Sequence, residues 1–194
     1  MKIDLLLLVY AFAWGSCVAL MSYFAFARST IFSREKGALR GRALLARAGN
    51  LSAVAAVGNC LINVNQRTWL GAVLSLLLCI ASLVLFRSAI TVFGKKRPGI
   101  AYTSEPPSAL VSHGPYSRIR HPIYLAYLLM WGASTVLPWN LLGLVIVSVM
   151  AILYYRAALF EERLILDSGL GATYRDYQRT TSMIIPGLRA LFRR

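Results

Sequence analysis

YLAYLLMWGASTVL at positions 124–137 and LLGLVIVSVMAILYYRAALF at 141–160, separated only by Pro138-Trp139-Asn140, decide the fold of this 194-residue chain. Two long apolar runs joined by three residues must fold back on each other as a helical hairpin. A membrane-spanning helix needs roughly 20 mainly apolar residues, and working outward from the hairpin finds more of them. Spans are predicted at 3–27, 48–64, 69–93, 122–138 and 140–160. The first contains no charge except Asp4 near its start. Its end, Ala25-Phe26-Ala27, also resembles a signal-peptidase site, but the run is long for a signal peptide. The second span is shorter and less apolar, and Trp69 stands where an interfacial aromatic would anchor the third.

Composition agrees with the hairpin. Hydrophobic residues make up 58% of the chain and charged residues 14%, against about 25% charged in a soluble domain. The formal charge is +14, which in a soluble protein would suggest nucleic acid. Here the bases cluster between apolar runs, as suits an anionic membrane surface, so no nucleic-acid partner is implied. A soluble globular enzyme, a disordered tail and a disulfide-stapled secreted domain are all excluded. Cys17, Cys60 and Cys79 lie inside apolar runs with no neighbouring His, so they are expected as buried thiols, neither metal ligands nor disulfides.

The bases also set the orientation. Arg28 to Arg47 and Lys95 to His121 read as cytoplasmic connectors, which gives five crossings with the N-terminus outside and the C-terminus inside. On that topology Lys2 and Arg67 lie outside and the other 19 of 21 basic residues inside. The expected fold class is therefore an all-α membrane protein of a single domain, with five transmembrane helices. Asn59 and Asn63, four apart, are expected to point into one interior groove and to hydrogen-bond between helices. Arg87 near the end of the third span either snorkels toward Lys95-Lys96-Arg97 or faces a pocket.

No GxGxxG, P-loop or HExxH is present, and two histidines cannot make a His-rich metal cluster, so no metal site is expected. One dense polar stretch remains, SHGPYSRIRHPIY at 112–124, entering the fourth span. Gly114 and Pro115 favour a turn, and Pro122 near the helix start leaves backbone groups free for a ligand. His121 and Tyr124, three apart, can border one pocket. The alternative is an interfacial helix start with Arg118 and Arg120 on headgroups and Tyr124 in the aromatic belt. Glu161-Glu162 ends the fifth span. About 100° separates their directions, so at most one is expected to face inward while the other meets water or a base. Beyond them a cytoplasmic helical extension is expected to break at Gly169 and Gly171, with a second short helix and then a basic tail on the membrane surface.

Taken in order, Gly114-Pro-Tyr116, Arg120-His121-Pro122-Ile-Tyr124, the hairpin, Glu161-Glu162 and Gly171-Ala-Thr-Tyr174-Arg-Asp-Tyr177 resemble the isoprenylcysteine carboxyl methyltransferases and related phospholipid methyltransferases. The resemblance covers roughly residues 110–186, while the first three spans share only length and topology. It implies an integral membrane methyltransferase with S-adenosyl-L-methionine in a cytoplasmic pocket made by residues 101–187. A lipid or isoprenoid acceptor would enter sideways from the bilayer. By position, the cofactor residues it implies are Ser108, Ala109, Leu110 and Val111, then Gly114 and Tyr116, then His121, Pro122, Ile123 and Tyr124, and finally Glu161 and Glu162.

His121 and Arg156 are the residues this resemblance puts forward for catalysis. The isoprenylcysteine enzymes have an Arg one turn before the cofactor Glu, suited to a substrate carboxylate. This chain has Ala158 there, and Arg156, Arg163 or Arg87 are the candidates to replace it. The first expected acceptor is an isoprenylcysteine-type carboxylate, and the second a phospholipid amine or small thiol. Sterol-type reductases using NADPH carry a similar Gly-x-Tyr and Arg-His entrance and form a third alternative.

Overall fold

The computed structural model describes residues 4–30, 40–94, 106–107 and 109–187. The basic tail past 187, Lys95 to Arg97, Ser108 and the centre of the first basic connector therefore lie outside the described residues. Among the described residues six α-helices follow in order: α1 (Leu5–Thr30), α2 (Arg40–Ile62), α3 (Trp69–Thr91), α4 (Pro122–Val136), α5 (Leu141–Leu166) and α6 (Gly171–Thr180). Single 3-10 turns occupy Val64–Gln66 and Gly114–Ser117.

α1, α3 and α5 each begin where a polar side chain takes an orphan backbone donor. The Asp4 carboxylate accepts from Leu7 N, the Thr68 hydroxyl from Gly71 N and the Asn140 amide oxygen from Gly143 N. Asp4 also accepts from Arg67 at 2.5 Å, which ties the start of α1 to the turn before α3. That hydrogen bond, aided by the Leu7 N–H, holds the Asp4 carboxyl below the ordinary carboxylate range.

α4 lies at the centre, packed on α3 and α5 and touching α1 and α2. The main core runs from Cys17, Phe24 and Phe86 through Met130 and Trp131 to Met150 and Ala157. A smaller cluster of Tyr10, Cys60, Ala72 and Leu137 closes the end near the hairpin turn. All three cysteines are buried free thiols, as expected from their apolar surroundings. The hairpin reverses at Trp139, which adopts a positive φ of 40°. Asn140 starts α5, and Thr135 Oγ1 bonds Gly143 O across the turn. A Cβ at Gly143 would sit 3.0 Å from Thr135, so the two arms close this tightly only with glycine there.

Outward faces are apolar: Leu5, Phe12, Leu51, Ile62, Leu70, Ile80, Leu141 and Ile152 are all exposed. Water would not tolerate such a surface, and lipid does. Leu5–Arg28, Gly41–Ile62, Trp69–Thr91 and Leu141–Leu166 are long and apolar enough to cross a bilayer. The protein is thus an integral, multi-pass membrane protein.

Two of the expected spans change. α2 starts at Arg40, so Arg42 and Arg47 are helical and do not belong to a loop. Arg, Ala and Leu are all good helix formers, and the RGRALLARAG stretch winds despite its charge. α4 has only 15 residues, about 22 Å at 1.5 Å per residue, short of the roughly 30 Å hydrocarbon core. Pro122 fixes its first turn and Pro138 follows its end, which is why the fourth apolar run yields a shorter helix than the span expected at 122–138.

Candidate active site

The site is assembled by an extended segment gripped from behind. After the 3-10 turn, which Gly114 enters with a positive φ of 61°, residues 118–121 run parallel to residues 182–183. Ser182 N donates to Arg118 O, Arg120 N to Ser182 O at 2.8 Å, and His121 N to Met183 O at 3.0 Å. Tyr177 adds a bond from its hydroxyl to Tyr116 O at 2.5 Å. α6 is placed for this because Gly171 passes so close to Leu166 O that no Cβ would fit. The extended strap ends at His121, and Pro122 opens α4 immediately after it.

His121 stands between the two carboxylates at the end of α5. Its Nε2 lies 3.1 Å from Glu162 Oε1 and its Nδ1 lies 3.6 Å from Glu161 Oε2. Arg120 forks onto Glu162, donating from Nε to Oε1 at 2.7 Å and from Nη2 to Oε2 at 3.3 Å, while Nη1 reaches Thr181 O. Gln178 Nε2 completes the set on Glu162 Oε2 at 2.6 Å. Glu162 is buried and saturated by this chain's own donors. Glu161 remains a quarter exposed and accepts from the Tyr124 hydroxyl at 2.5 Å.

An aromatic column descends from this cluster into the bundle. The His121 and Tyr124 rings stack with centroids 5.5 Å apart, and Tyr124 stacks on Tyr154 at 5.3 Å. Trp131 Nε1 donates to the Tyr154 hydroxyl, and Tyr127 continues the column to Phe24 and Phe86. On the α6 side, burial pushes the Tyr177 phenol up to about 12 although Arg120 pulls the other way. Burial raises Tyr174 and Tyr116 as well, the charge of Glu162 adding to the effect at Tyr174 and that of Glu161 at Tyr116. These phenols stay neutral at physiological pH, so they serve as donors and not as bases.

The structure brings together His121, Tyr124, Glu161 and Glu162, with Tyr116 buried behind the strap. Glu162 is the buried member of the pair, while Glu161 keeps a quarter of its side chain exposed. His121 sits over the seam between their two directions, so each reaches a different ring nitrogen. Pro122 is fully buried, Ile123 half-buried and Gly114 exposed, with a Cβ there pressing on Val92. Ala109 is exposed and Leu110 and Val111 are partly so, upstream of the turn.

Arg156 does not join the cluster. It is exposed on α5, as its rotation of about 120° from Glu162 on a regular helix requires. Arg163 is exposed too, and Arg87 is exposed and bonds the Tyr23 hydroxyl. The base on Glu162 is Arg120, which the headgroup alternative had placed outside. Gln178 was also missed. Its signal was available, since Tyr174, Tyr177 and Gln178 fall on one helical face.

Over 98 residues the chain is 34% identical to the methanethiol S-methyltransferase of Mycobacterium tuberculosis (strain ATCC 25618 / H37Rv), a match covering 49% of this chain and 38% of that protein. The family model for phospholipid methyltransferase matches residues 67–172, from the turn before α3 to the start of α6. The Arg120-His121 strap, the hairpin and the paired carboxylates all lie within that match, and the chain belongs to the phospholipid methyltransferase family.

Proposed function

We propose that the protein transfers a methyl group from S-adenosyl-L-methionine to a small molecule dissolved in the membrane, at the cytoplasmic end of a five-crossing bundle. The observation that carries this reading is His121 held between Glu161 and Glu162 above stacked tyrosine rings. A sulfonium carries positive charge, and the partly exposed Glu161 carboxylate beside the aromatic column is suited to a cation. The donor set therefore fits this cofactor. Its amino and ribose groups call for acceptors, which Glu161 supplies, and for neutral donors, which Tyr116 and Tyr124 supply.

When bound, S-adenosyl-L-methionine supplies an electrophilic methyl group, and the protein's share is alignment and exclusion of water. Glu162 fixes the His121 ring and Arg120 in place. The stacked rings of His121, Tyr124 and Tyr154 form a rigid wall beside a bound molecule. The apolar column below them keeps water from the acceptor. A carboxylate acceptor is already nucleophilic, whereas a thiol or amine must lose a proton, and Glu161 is the nearest partly exposed carboxylate to receive it.

An isoprenoid-linked carboxylate is the first acceptor we propose. A small thiol is the second reading, favoured by the name of the mycobacterial relative. Purified protein is expected to bind S-adenosylhomocysteine saturably and NADPH not at all. Labelled methyl from the cofactor is expected to appear in a total lipid extract incubated with the protein. Binding of NADPH in place of S-adenosylhomocysteine would overturn the assignment.

A further inference from the structure

Cys17 on α1 and Cys79 on α3 stand 62 positions apart in the chain, yet their sulfurs lie 3.5 Å from each other. The Ser75 hydroxyl is 3.4 Å from the same Cys17 sulfur. All three side chains are buried. Methyl transfer as proposed above makes no use of them.

The seam that holds the pair is regular. Seven residues beyond the cysteines, Phe24 and Phe86 meet with ring centroids 4.5 Å apart, so the same offset of 62 recurs about two turns along. Seven residues before them, Tyr10 and Ala72 share one buried cluster. α1 and α3 therefore run parallel, and contacts on both sides hold the sulfurs face to face. An S–S bond is about 2.05 Å long, so closing it brings the sulfurs only about 1.5 Å nearer, a step of the size that side-chain rotation supplies.

Most buried thiols are inert because nothing around them supports charge on the sulfur. Here the Ser75 hydroxyl and the Cys79 thiol can both donate toward Cys17 Sγ, which suits that sulfur to attack. Both cysteines lie midway along helices long and apolar enough to cross a bilayer, Leu5–Arg28 and Trp69–Thr91. An oxidant that reaches them must dissolve in hydrocarbon. Glutathione, a charged peptide, does not, so a bond formed there is shielded from it. Cys60 is buried as well but directs its sulfur to Ser134 O at 3.6 Å, and it serves as an internal control.

We propose that Cys17 and Cys79 form a dithiol that a membrane-dissolved organic hydroperoxide oxidises to a disulfide joining α1 to α3. The Cys17 sulfur attacks the terminal peroxide oxygen, the O–O bond breaks, and the alcohol leaves with the thiol proton. Cys79 then attacks the sulfenic sulfur, the S–O bond breaks, and hydroxide leaves with the second thiol proton as water. The two thiols give up two electrons, and the hydroperoxide takes them to become alcohol and water. Oxidised acyl chains of the surrounding lipid belong to this class of oxidant. The cross-link would fix the seam about two turns from Phe24 and Phe86, which meet Tyr127 at the foot of the tyrosine column. The assignment is independent of the methyl-transfer reading.

The test uses the full chain in phosphatidylcholine nanodiscs, treated with tert-butyl hydroperoxide, then denatured and alkylated with N-ethylmaleimide. Label should be lost from Cys17 and Cys79 together and kept on Cys60. Peptide mass mapping should find the first two joined, lighter by two hydrogens. The treated protein should also unfold several degrees higher, as a bond closing a loop of this length allows. That rise should vanish in Cys17→Ala and Cys79→Ala and survive in Cys60→Ala.

Retention of label on Cys17 and Cys79, cross-links to Cys60 as frequent as the expected one, or an unchanged or lowered unfolding temperature overturns the proposal. So does a rise that persists without Cys17 or Cys79. The unaltered protein carries the deciding readouts, so the result stands even if a variant does not fold.

Discussion

α5 has a polar cluster at each end, and the two are built on different principles. At the hairpin end Asn140 and Asn59 exchange amide hydrogen bonds at 2.9 and 3.0 Å, with Asn63 donating to Asn59 from one turn away. Every member is neutral and answered within the protein. At the other end Glu161, Glu162, Arg120 and His121 are charged or ionisable groups, and Glu161 is left partly open. The amide cluster specifies how α2 meets the hairpin. The ionic one holds a geometry that a ligand can use, and it depends on a strap from outside the bundle.

The largest effect should come from breaking the ionic end. Glu162→Ala leaves Arg120 buried beside an absent partner, and removing one member of a buried pair costs about 3–5 kcal/mol. Thermal unfolding in detergent should show it as a large loss, accompanied by loss of S-adenosylhomocysteine binding. Glu162→Gln is a milder form and should weaken that binding while leaving expression unchanged. Unaltered affinity would take Glu162 out of the site.

Glu161→Gln should separate the two roles. Stability should change little because this carboxylate is partly solvated, but cofactor affinity should fall about tenfold, the range of one charge-assisted hydrogen bond. A protein that loses stability and keeps affinity would reverse the assignment of open and structural carboxylates.

At the neutral end Asn59→Ala removes interhelical bonds worth about 0.6–2 kcal/mol in a membrane. Unfolding should detect that loss, and cofactor affinity should not. A shift in affinity would mean that the two ends of α5 are coupled.

The smallest effect is expected at Asp4 and Arg67. Because the folded-state value of Asp4 is lowered, its contribution is present above the ordinary carboxylate range. It is lost as pH falls through the lowered value. The pair is solvent-facing, so salt should erase the effect, and Asp4→Asn should abolish its acid dependence.

The sequence made the bundle legible because apolar runs have no other stable use at this length. The interior Asn59 and the tight hairpin were readable from spacing within single runs, whereas the approach of His121 to the paired carboxylates was implied only by the family resemblance, and Asn63 bonds Asn59 of its own helix. Arg120 was not. Whether a residue in an extended segment points inward depends on the strand it pairs with, and here that partner is Ser182–Met183, far along the chain. The start of α2 was obscured for a different reason: charge marks a boundary with water, but it does not stop a helix. Arg156 was a false lead of proximity in sequence, which angular position on α5 removes.

The strap has a consequence for biogenesis. The apolar helices are complete before the last part of the chain is made, yet the contacts of Arg120 and His121 with residues 181–183 require a segment translated long after the strap it grips. A nascent chain therefore passes through a stage in which its hydrophobic scaffold is in place while the cluster around His121 is still unformed.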